Sequence, residues 1–460
     1  MRFDKPLFFD SAKKAQDVID GTGDYFPNTP YINPNTGQVQ QLSNTQLPSN
    51  DWLVSPRVGF NYDVKGDSTI QLRGGSGLFT GRFPFVWLGN QIGNPNWWFQ
   101  QNVDPDYKFP QVWRTNLGLD HKYDNGLILT ADVSYTKDIN GAHVQNWGLT
   151  PPTGTLAGVD NRPYYTSADH VLVNGTGLGF NANANAYVFT NSDKGRIWNA
   201  SFKAQKTFDN GLYTMLAYSY LDSKDVNSIE AEITGDAFDF NPVLGNANSD
   251  QLSYSRYGDT HRIIGVATKK WNYGTNDKWG TSLSTFFEYS RGGRFSYTYA
   301  GNINGDTSGQ NNDLIYIPTP AEIQQMDFPV AAEAVAFNAY ISQDDYLKGR
   351  RGLYAERYGA QAPWRARWDV KFLQDYKIKI SENKTNTIQF SIDVLNIGNL
   401  ISSEWGLVQQ PNNVSPIGVS VDPDTLVPTY SFNPNQTETF GYDSSLASRW
   451  QMQFGLRYIF

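Results

Sequence analysis

The segment that most constrains this chain is its last stretch, WQMQFGLRYIF at 450–460. Every second residue is large and apolar (Trp450, Met452, Phe454, Leu456, Tyr458, Phe460), and Gln451, Gln453, Gly455 and Arg457 between them are small or polar. A period of two predicts a strand with one apolar and one wet face. About ten residues is the length a tilted strand needs to cross a bilayer, and aromatics at both ends match the girdles of a membrane barrel. A half-buried strand of a soluble sheet shows the same alternation, so the rest of the chain must decide.

The alternation recurs in hairpins. Segment 54–64 sets Val58, Phe60 and Tyr62 against Arg57, Asn61 and Asp63, then turns at Lys65-Gly66-Asp67 into 68–81. Segment 112–123 turns at Asp124-Asn125-Gly126 into 127–137, and 196–208 turns at Asp209-Asn210-Gly211 into 212–222. Asn-Gly after Asp is the positive-φ chemistry of tight hairpins. Segments 261–271 with 279–290, and 364–380 with 386–397, complete the series. In 364–372, Trp364, Ala366, Trp368, Val370 and Phe372 alternate with Arg365, Arg367, Asp369 and Lys371. So dense a charged face is costly in a soluble core and ordinary as the lining of a water-filled lumen.

The connections sort by length. Short turns alternate with long connections at roughly 10–54, 82–110, 139–194, 225–260, 293–363 and 398–447, the pattern of short periplasmic turns and long extracellular loops. The fold expected is all-β: a transmembrane antiparallel β-barrel of about 12 strands, one at the extreme N-terminus, with long extracellular loops. Aromatics reach 15% while hydrophobic residues total only 39%, as when lipid-facing positions are diluted by lumen and loop residues. No run approaches the roughly 18 apolar residues of a spanning helix. The long loops, rich in Asn, Gly, Pro, Ser and Tyr, read as exposed. Residues 321–359 are Ala-rich with helical periodicity and predict one or two short helices, either touching a ligand or capping the rim.

No cysteine is present, which excludes disulfides and thiolate chemistry. A formal charge of −8 argues against a nucleic-acid partner. His121, His143, His170 and His261 form no metal-ligand spacing. Gly74-Gly75-Ser76-Gly77 lacks the final Gly of a nucleophile elbow, and small residues there suit strand curvature or close packing. Gly175-Thr176-Gly177-Leu178-Gly179 fails the dinucleotide spacing. No catalytic residue or organic cofactor is expected. Calcium is the one metal the sequence leaves open: Asn302-Ile303-Asn304-Gly305-Asp306 with Asn312 and Asp313 offers hard oxygen ligands. The twelfth-position Glu and the EF-hand spacing are both missing; an Asx-turn loop is the competing reading.

Several segments resemble one family, the TonB-dependent outer-membrane transporters of Bacteroidetes and relatives, in particular the Oar-like (OmpA-related) group near the SusC-like receptors. They are 55–91, 109–127, HRIIG at 261–265, NNDLIYIP at 311–318, YLKGRRGLYAERYGAQAPW at 346–364, DVLNIGNL at 393–400 and the terminal 449–460. The resemblance implies a 22-stranded, plugged barrel in the cell outer membrane. The chain would then be a single C-terminal portion, 1–460, with a helical loop insertion at about 320–359 and without signal peptide, plug domain, coupling box or the first strands. It implies uptake of an unknown ligand, TonB engaged through the missing N-terminal region, and outer-membrane lipid around the wall; the surface lipoprotein that partners SusC-like relatives does not follow from this portion. The terminal Trp450, Phe454, Tyr458 and Phe460 would be the insertion signal read by the barrel-assembly machinery. Trp97, Trp98, Tyr164, Tyr165, Arg350, Arg351 and Trp405 are the ligand-loop candidates, by position and type; loop packing or an aromatic belt is the other reading. A passive porin or surface-adhesion barrel, or a secreted carbohydrate-binding β protein, are the rival functions.

Overall fold

The structure is a computed structural model and describes residues 1–7, 29–44, 46–82, 84–93, 100–170, 185–229, 233–306, 308–381 and 384–460. Its frame is a meander of antiparallel strands, preceded by the three-residue β1 (Arg2–Asp4): β2 (Arg57–Asp63), β3 (Ile70–Thr80), β4 (Gln111–Lys122), β5 (Leu127–Asp138), β6 (Arg196–Thr207), β7 (Leu212–Asp225), β8 (His261–Tyr273), β9 (Trp279–Ser290), β10 (Arg365–Ser381), β11 (Lys384–Leu395) and β12 (Gln451–Ile459). From β2 to β12 each strand pairs with the next in sequence. β1 pairs with Leu53–Ser55, the short strand leading into β2. Among the described residues no ladder joins β12 to β1 or β2, so the sheet has two open edges.

Register shows why this sequence makes a membrane wall. Followed across nine strands, one row reads Tyr62, Leu72, Leu119, Ala131, Phe202, Tyr218, Ile263, Tyr289 and Ala366. The row one residue away, on the opposite face, reads Asn61, Arg73, Gly118, Asp132, Ser201, Ser219, Arg262, Ser290 and Arg365. The first is wholly apolar or aromatic and the second wholly polar or glycine. The division continues onto β12, where Met452, Phe454, Leu456 and Tyr458 stand opposite Val394, Ile392, Phe390 and Ile388 of β11. Phe454, Leu456 and Tyr458 have no protein over them, at 63%, 78% and 56% exposed. A continuous bare apolar face across a sheet this wide is stable against hydrocarbon, not water. The fold is that of a transmembrane antiparallel β-barrel wall. Among the described residues no helix is long and apolar enough to cross a membrane.

The other face is held by ion pairs. Arg73 bridges Asp120 (2.9 Å) and Asp132 (2.6 Å), Arg262 pairs with Glu288, and Lys371 with Asp393. Ser76 lies within β3, its hydroxyl 2.8 Å from that of Thr115, and a Cβ on Gly74 would meet the Phe60 ring at 2.8 Å. Close packing of strands therefore accounts for the Gly-Gly-Ser-Gly run.

The connections divide by edge. At one edge the strands are joined by turns such as 123–126 and 208–211. In both turns only the glycine has positive φ (Gly126 +80°, Gly211 +79°), and the preceding Asn caps the return strand through its side chain, Asn125 to Leu127 N and Asn210 to Leu212 N at 3.0 Å. These are three-residue hairpin loops with a glycine bulge rather than two-residue Asn-Gly turns. At the other edge, 81–110, 139–195, 226–260, 291–364 and 396–450 build a crown.

The crown holds the molecule's hydrophobic core. One cluster joins Phe295, Tyr297, Tyr299 and Ile315 to Phe337, Ile341, Ile417 and Phe432; another joins Trp87, Val103 and Phe109 to Val144, Phe189, Phe238 and Val243. The expectation of exposed loops is corrected here: they pack on one another. The 321–359 stretch carries three short helices, Pro320–Ile323, Ala331–Gln343 and Asp345–Lys348. The first starts from a Thr319–Glu322 capping box with Pro320 in its first turn, and Asp344 caps the third by accepting from Leu347 N at 2.8 Å. The middle helix buries Phe337, Tyr340 and Ile341; full burial of Phe337 or Ile341 contributes about 1.5–3 kcal/mol.

Candidate functional site

At the centre of the crown Arg162 is fully buried, which requires every charge near it to be answered. It grips Asp160 with two parallel bonds (Nε to Oδ1 3.0 Å, Nη2 to Oδ2 2.8 Å) and donates to the Leu314 carbonyl at 2.6 Å. Tyr299 and Tyr354 donate their hydroxyls to the same carboxylate, at 2.9 and 3.2 Å. Burial and then Asp160 push the Tyr299 phenol well above its usual range, so it stays a donor. The remaining nitrogen, Nη1, lies 3.6 Å from Asp313 Oδ1 and makes no hydrogen bond. This knot ties the 139–195 connection to the 291–364 connection.

Asp313 closes a polar loop whose side chains turn inward. Its Oδ2 accepts from the backbone of Ile303 (3.0 Å) and Asn304 (3.4 Å). Asp306 accepts from the amides of Asn302 (3.2 Å) and Asn304 (3.0 Å) and from Ser308 N (2.9 Å). Asn304, Asp306, Asn312 and Asp313 are all buried. Burial raises both carboxylates' proton affinity, and Asp306 adds to the effect on Asp313. Asp239 is pushed up to about 7, by burial and then by Asp306.

Beside this loop is a cleft of about 530 Å³ walled by Tyr164, Tyr165, Thr166, His170, Gly305 and Asp424. Gly305, at φ +77°, is required there: a Cβ would stand 2.7 Å from the Tyr165 carbonyl and 2.8 Å from the Tyr164 ring. The Tyr165 hydroxyl donates to Asn246 (3.0 Å) and accepts from Ala247 N (3.0 Å), and His170 Nε2 is 3.1 Å from the Gly305 carbonyl. An aromatic face with hydroxyl, imidazole and carboxylate groups around it can stack on and hydrogen-bond a polar ligand.

The other sequence candidates go elsewhere. Arg350 lines a separate cavity of about 330 Å³ and pairs with Glu356 at 3.2 Å. Arg351 holds the helical insertion, donating to the Pro318 carbonyl, Asn338 and Ser342. Trp405 is 56% exposed and lines neither cavity. Trp97, Trp98 and the glycines at 175–179 lie outside the described residues. Trp450, Phe454, Tyr458 and Phe460 are exposed along the terminal strand. Sequence reading missed Asp160, Arg162 and His170. Only the Asp-x-Arg spacing of 160 and 162 could have suggested the bidentate pair, and a chain with 45 acidic residues offers too many such pairs to single it out. Among the described residues no three His, Cys, Asp or Glu side chains form a metal-holding group.

No family model and no curated protein matches the chain. Solved structures do. The outer membrane transporter YddB from Escherichia coli aligns with 89% of this chain and 41% of its own, at 12% identity and a TM-score of 0.44. The ferric enterobactin receptor PfeA from Pseudomonas aeruginosa, solved as a mutant with enterobactin, aligns with 75% of this chain and 35% of its own, at 10% identity and a TM-score of 0.36. The siderophore receptor PirA from Acinetobacter baumannii aligns with 78% of this chain and 38% of its own, at 9% identity and a TM-score of 0.39. The chain spans about two fifths or less of the length of these structures.

Proposed function

We propose that this chain is the C-terminal wall and ligand-facing crown of a TonB-dependent outer-membrane transporter of the Oar-like group, taking up a nutrient at the cell outer membrane. The observation that carries this is the paired register: an unbroken apolar row outside, a polar row inside, and a packed crown with an aromatic cleft at one edge only. Dispersed motifs that resemble the Oar-like group support the finer assignment. The open edges support further strands completing the wall, with a plug and coupling box supplied by the same longer protein. TonB would act through that region. The barrel-assembly machinery would read the terminal strand, and a surface lipoprotein is the further partner the SusC-like resemblance suggests. The role is a wall and a receptor; catalysis has no part in it.

The test has two arms, cell fractionation with uptake in strains with and without TonB, and conductance of the full-length protein in planar bilayers. Outer-membrane recovery, TonB-dependent uptake and a closed pore are expected. A steady open-channel conductance with TonB-independent uptake would mean a passive porin, and recovery from the soluble fraction would mean a secreted binding protein.

A further inference from the structure

On the outward face, the row Tyr218, Ile263, Tyr289 and Ala366 is not the last before the crown. Two residues further along each strand, the same face carries Tyr220, His261, Arg291 and Trp364. Tyr220 stands opposite His261, and Arg291 N donates to the His261 carbonyl at 2.9 Å, so the two basic residues are cross-strand neighbours. Ring contacts hold the group on one surface. The His261 ring centre lies 5.2 Å from that of Tyr220 and 5.9 Å from that of Trp364, and Trp364 stacks on Tyr289 at 4.7 Å. The Arg291 guanidinium is 5.9 Å from the Trp364 ring. A basic pair among aromatics, where the apolar face ends, lies at the depth of lipid headgroups.

Neither basic group is fully committed to the protein. Among the described residues Arg291 forms no ion pair and its guanidinium no hydrogen bond. His261 shares Nδ1 with the Tyr218 hydroxyl at 2.9 Å, and when that hydroxyl donates, Nε2 carries the ring hydrogen. The carboxylates nearby have partners of their own. Asp345 pairs with Lys348 (2.5 Å), Asp259 with Arg365 (3.4 Å), and Asp344 accepts from Tyr297, Thr439 and Leu347 N. Independently of these groups, a cavity of about 540 Å³ opens at this corner, walled by Arg291 and Trp364 and, from the crown, by Gln343, Asp345, Gln361 and Phe440. The Gln343 and Gln361 amides donate to Thr439 (2.7 Å) and Thr260 (2.6 Å), and among the described residues their side-chain oxygens accept nothing. The corner therefore offers N–H donors for an anion, amide oxygens for hydroxyls, and an apolar wall running away from both.

We infer that this corner is a headgroup site for an anionic lipid. Its phosphate is held by the Arg291 guanidinium and His261 Nε2–H, its headgroup hydroxyls by the Gln343 and Gln361 oxygens, and its acyl chains lie along Ile263 and Tyr289. Arginine suits the task because its planar fork meets a phosphate through two N–H groups, and basic pockets at the membrane surface select anionic headgroups. Charge complementarity names the occupant: the uncommitted groups at the end of an apolar face are cationic. The site rests on the two-faced wall and not on the transport reading, since it faces the bilayer rather than the aromatic cleft. A lipid bound there ties the 291–364 connection to the membrane surface through Arg291 and Gln361.

The test is equilibrium binding of labelled phosphatidylglycerol to the full-length protein in detergent micelles, with diacylglycerol and inorganic phosphate as competitors. Expected is a saturable component that neither competitor displaces and that Arg291→Gln weakens at least about tenfold, the loss of one charge-assisted hydrogen bond. Arg365→Gln, the next residue to Trp364 but on the polar face, should bind as the parent does. Competition by diacylglycerol would mean that the apolar wall alone binds, and inorganic phosphate binding as tightly as the lipid would mean a free-anion site. Equal losses in Arg291→Gln and Arg365→Gln would mean diffuse attraction to charge. Each of these overturns the assignment, as does unchanged affinity in Arg291→Gln. Should Arg291→Gln fail to fold, His261→Phe decides, with a loss of at least about threefold expected and none refuting the site.

Discussion

Leu216→Arg puts the two-faced wall to its hardest test. Leu216 lies on the outward face of β7, four residues from its short-turn end and 58% exposed, and its register neighbours are Ala204 and Gly265. A guanidinium there finds no acceptor on either side, and the outer aromatic residue Tyr220 is about 13 Å further along the strand, beyond easy snorkelling. Arginine near the bilayer midplane costs about 2–4 kcal/mol, falling towards zero at the interfaces. At about 1.4 kcal/mol per factor of ten, that is a loss of roughly 30- to 1,000-fold in the folded population. Ser201→Arg is the matched control. It lies on the polar row beside Asp132 and Ser219, and a change there should stay within about 0.5 kcal/mol. Urea unfolding in phospholipid vesicles, followed by Trp fluorescence, reads both. Equal losses on the two faces, or a neutral Leu216→Arg, would refute the assignment of outside and inside.

Further predictions concern the crown and the inner wall. His143 is fully buried in the 141–146 strand of the crown, and burial lowers its pKa to about 4. The unfolded chain, with a His pKa of about 6.5, binds the proton more readily. Stability is therefore full above pH 6.5 and falls by up to about 3 kcal/mol as pH drops towards 4; thermal unfolding of His143→Gln should lose that dependence. Arg162→Met leaves Asp160 and Asp313 buried without their cation and should cost about 3–5 kcal/mol, seen as protease cleavage within 139–195 and 291–364 while the strands stay protected. Gly118→Ala should be mild, under about 1 kcal/mol, because its Cβ meets only the movable tips of Asp132 and Arg73. Gly77→Ala, facing the Pro56 carbonyl at 2.8 Å, should cost about 1–3 kcal/mol by urea titration.

The wall was legible because a strand writes its environment at a fixed period. Trp364, Ala366, Trp368 and their charged alternates need no partner to be read, and Gly126 and Gly211 mark their turns locally. The crown was not. Tyr299, Ile315, Phe337 and Phe432 meet from segments far apart, with no repeat linking them, and a Tyr in a polar loop looks the same in sequence whether buried or exposed. Arg351 illustrates the limit: its residue type suggested ligand contact, and its partners are the carbonyls and side chains of its own insertion. The 302–313 loop was half legible: its Asn and Asp residues could be seen, but not that Asn304, Asp306, Asn312 and Asp313 would be buried.

The strand directions at the two open edges impose a condition on what can complete this wall. β1 runs opposite to β2, and β2 and β12, ten antiparallel steps apart, run the same way. The outermost strands therefore point in opposite directions. Antiparallel closure between them admits only an even number of further strands, because an odd one would force a parallel pair. Additions must come as whole hairpins with their short turns on the same edge as those at 123–126 and 208–211. A single lost or gained strand would do more than shrink or widen such a wall; it would force one parallel pair at the seam.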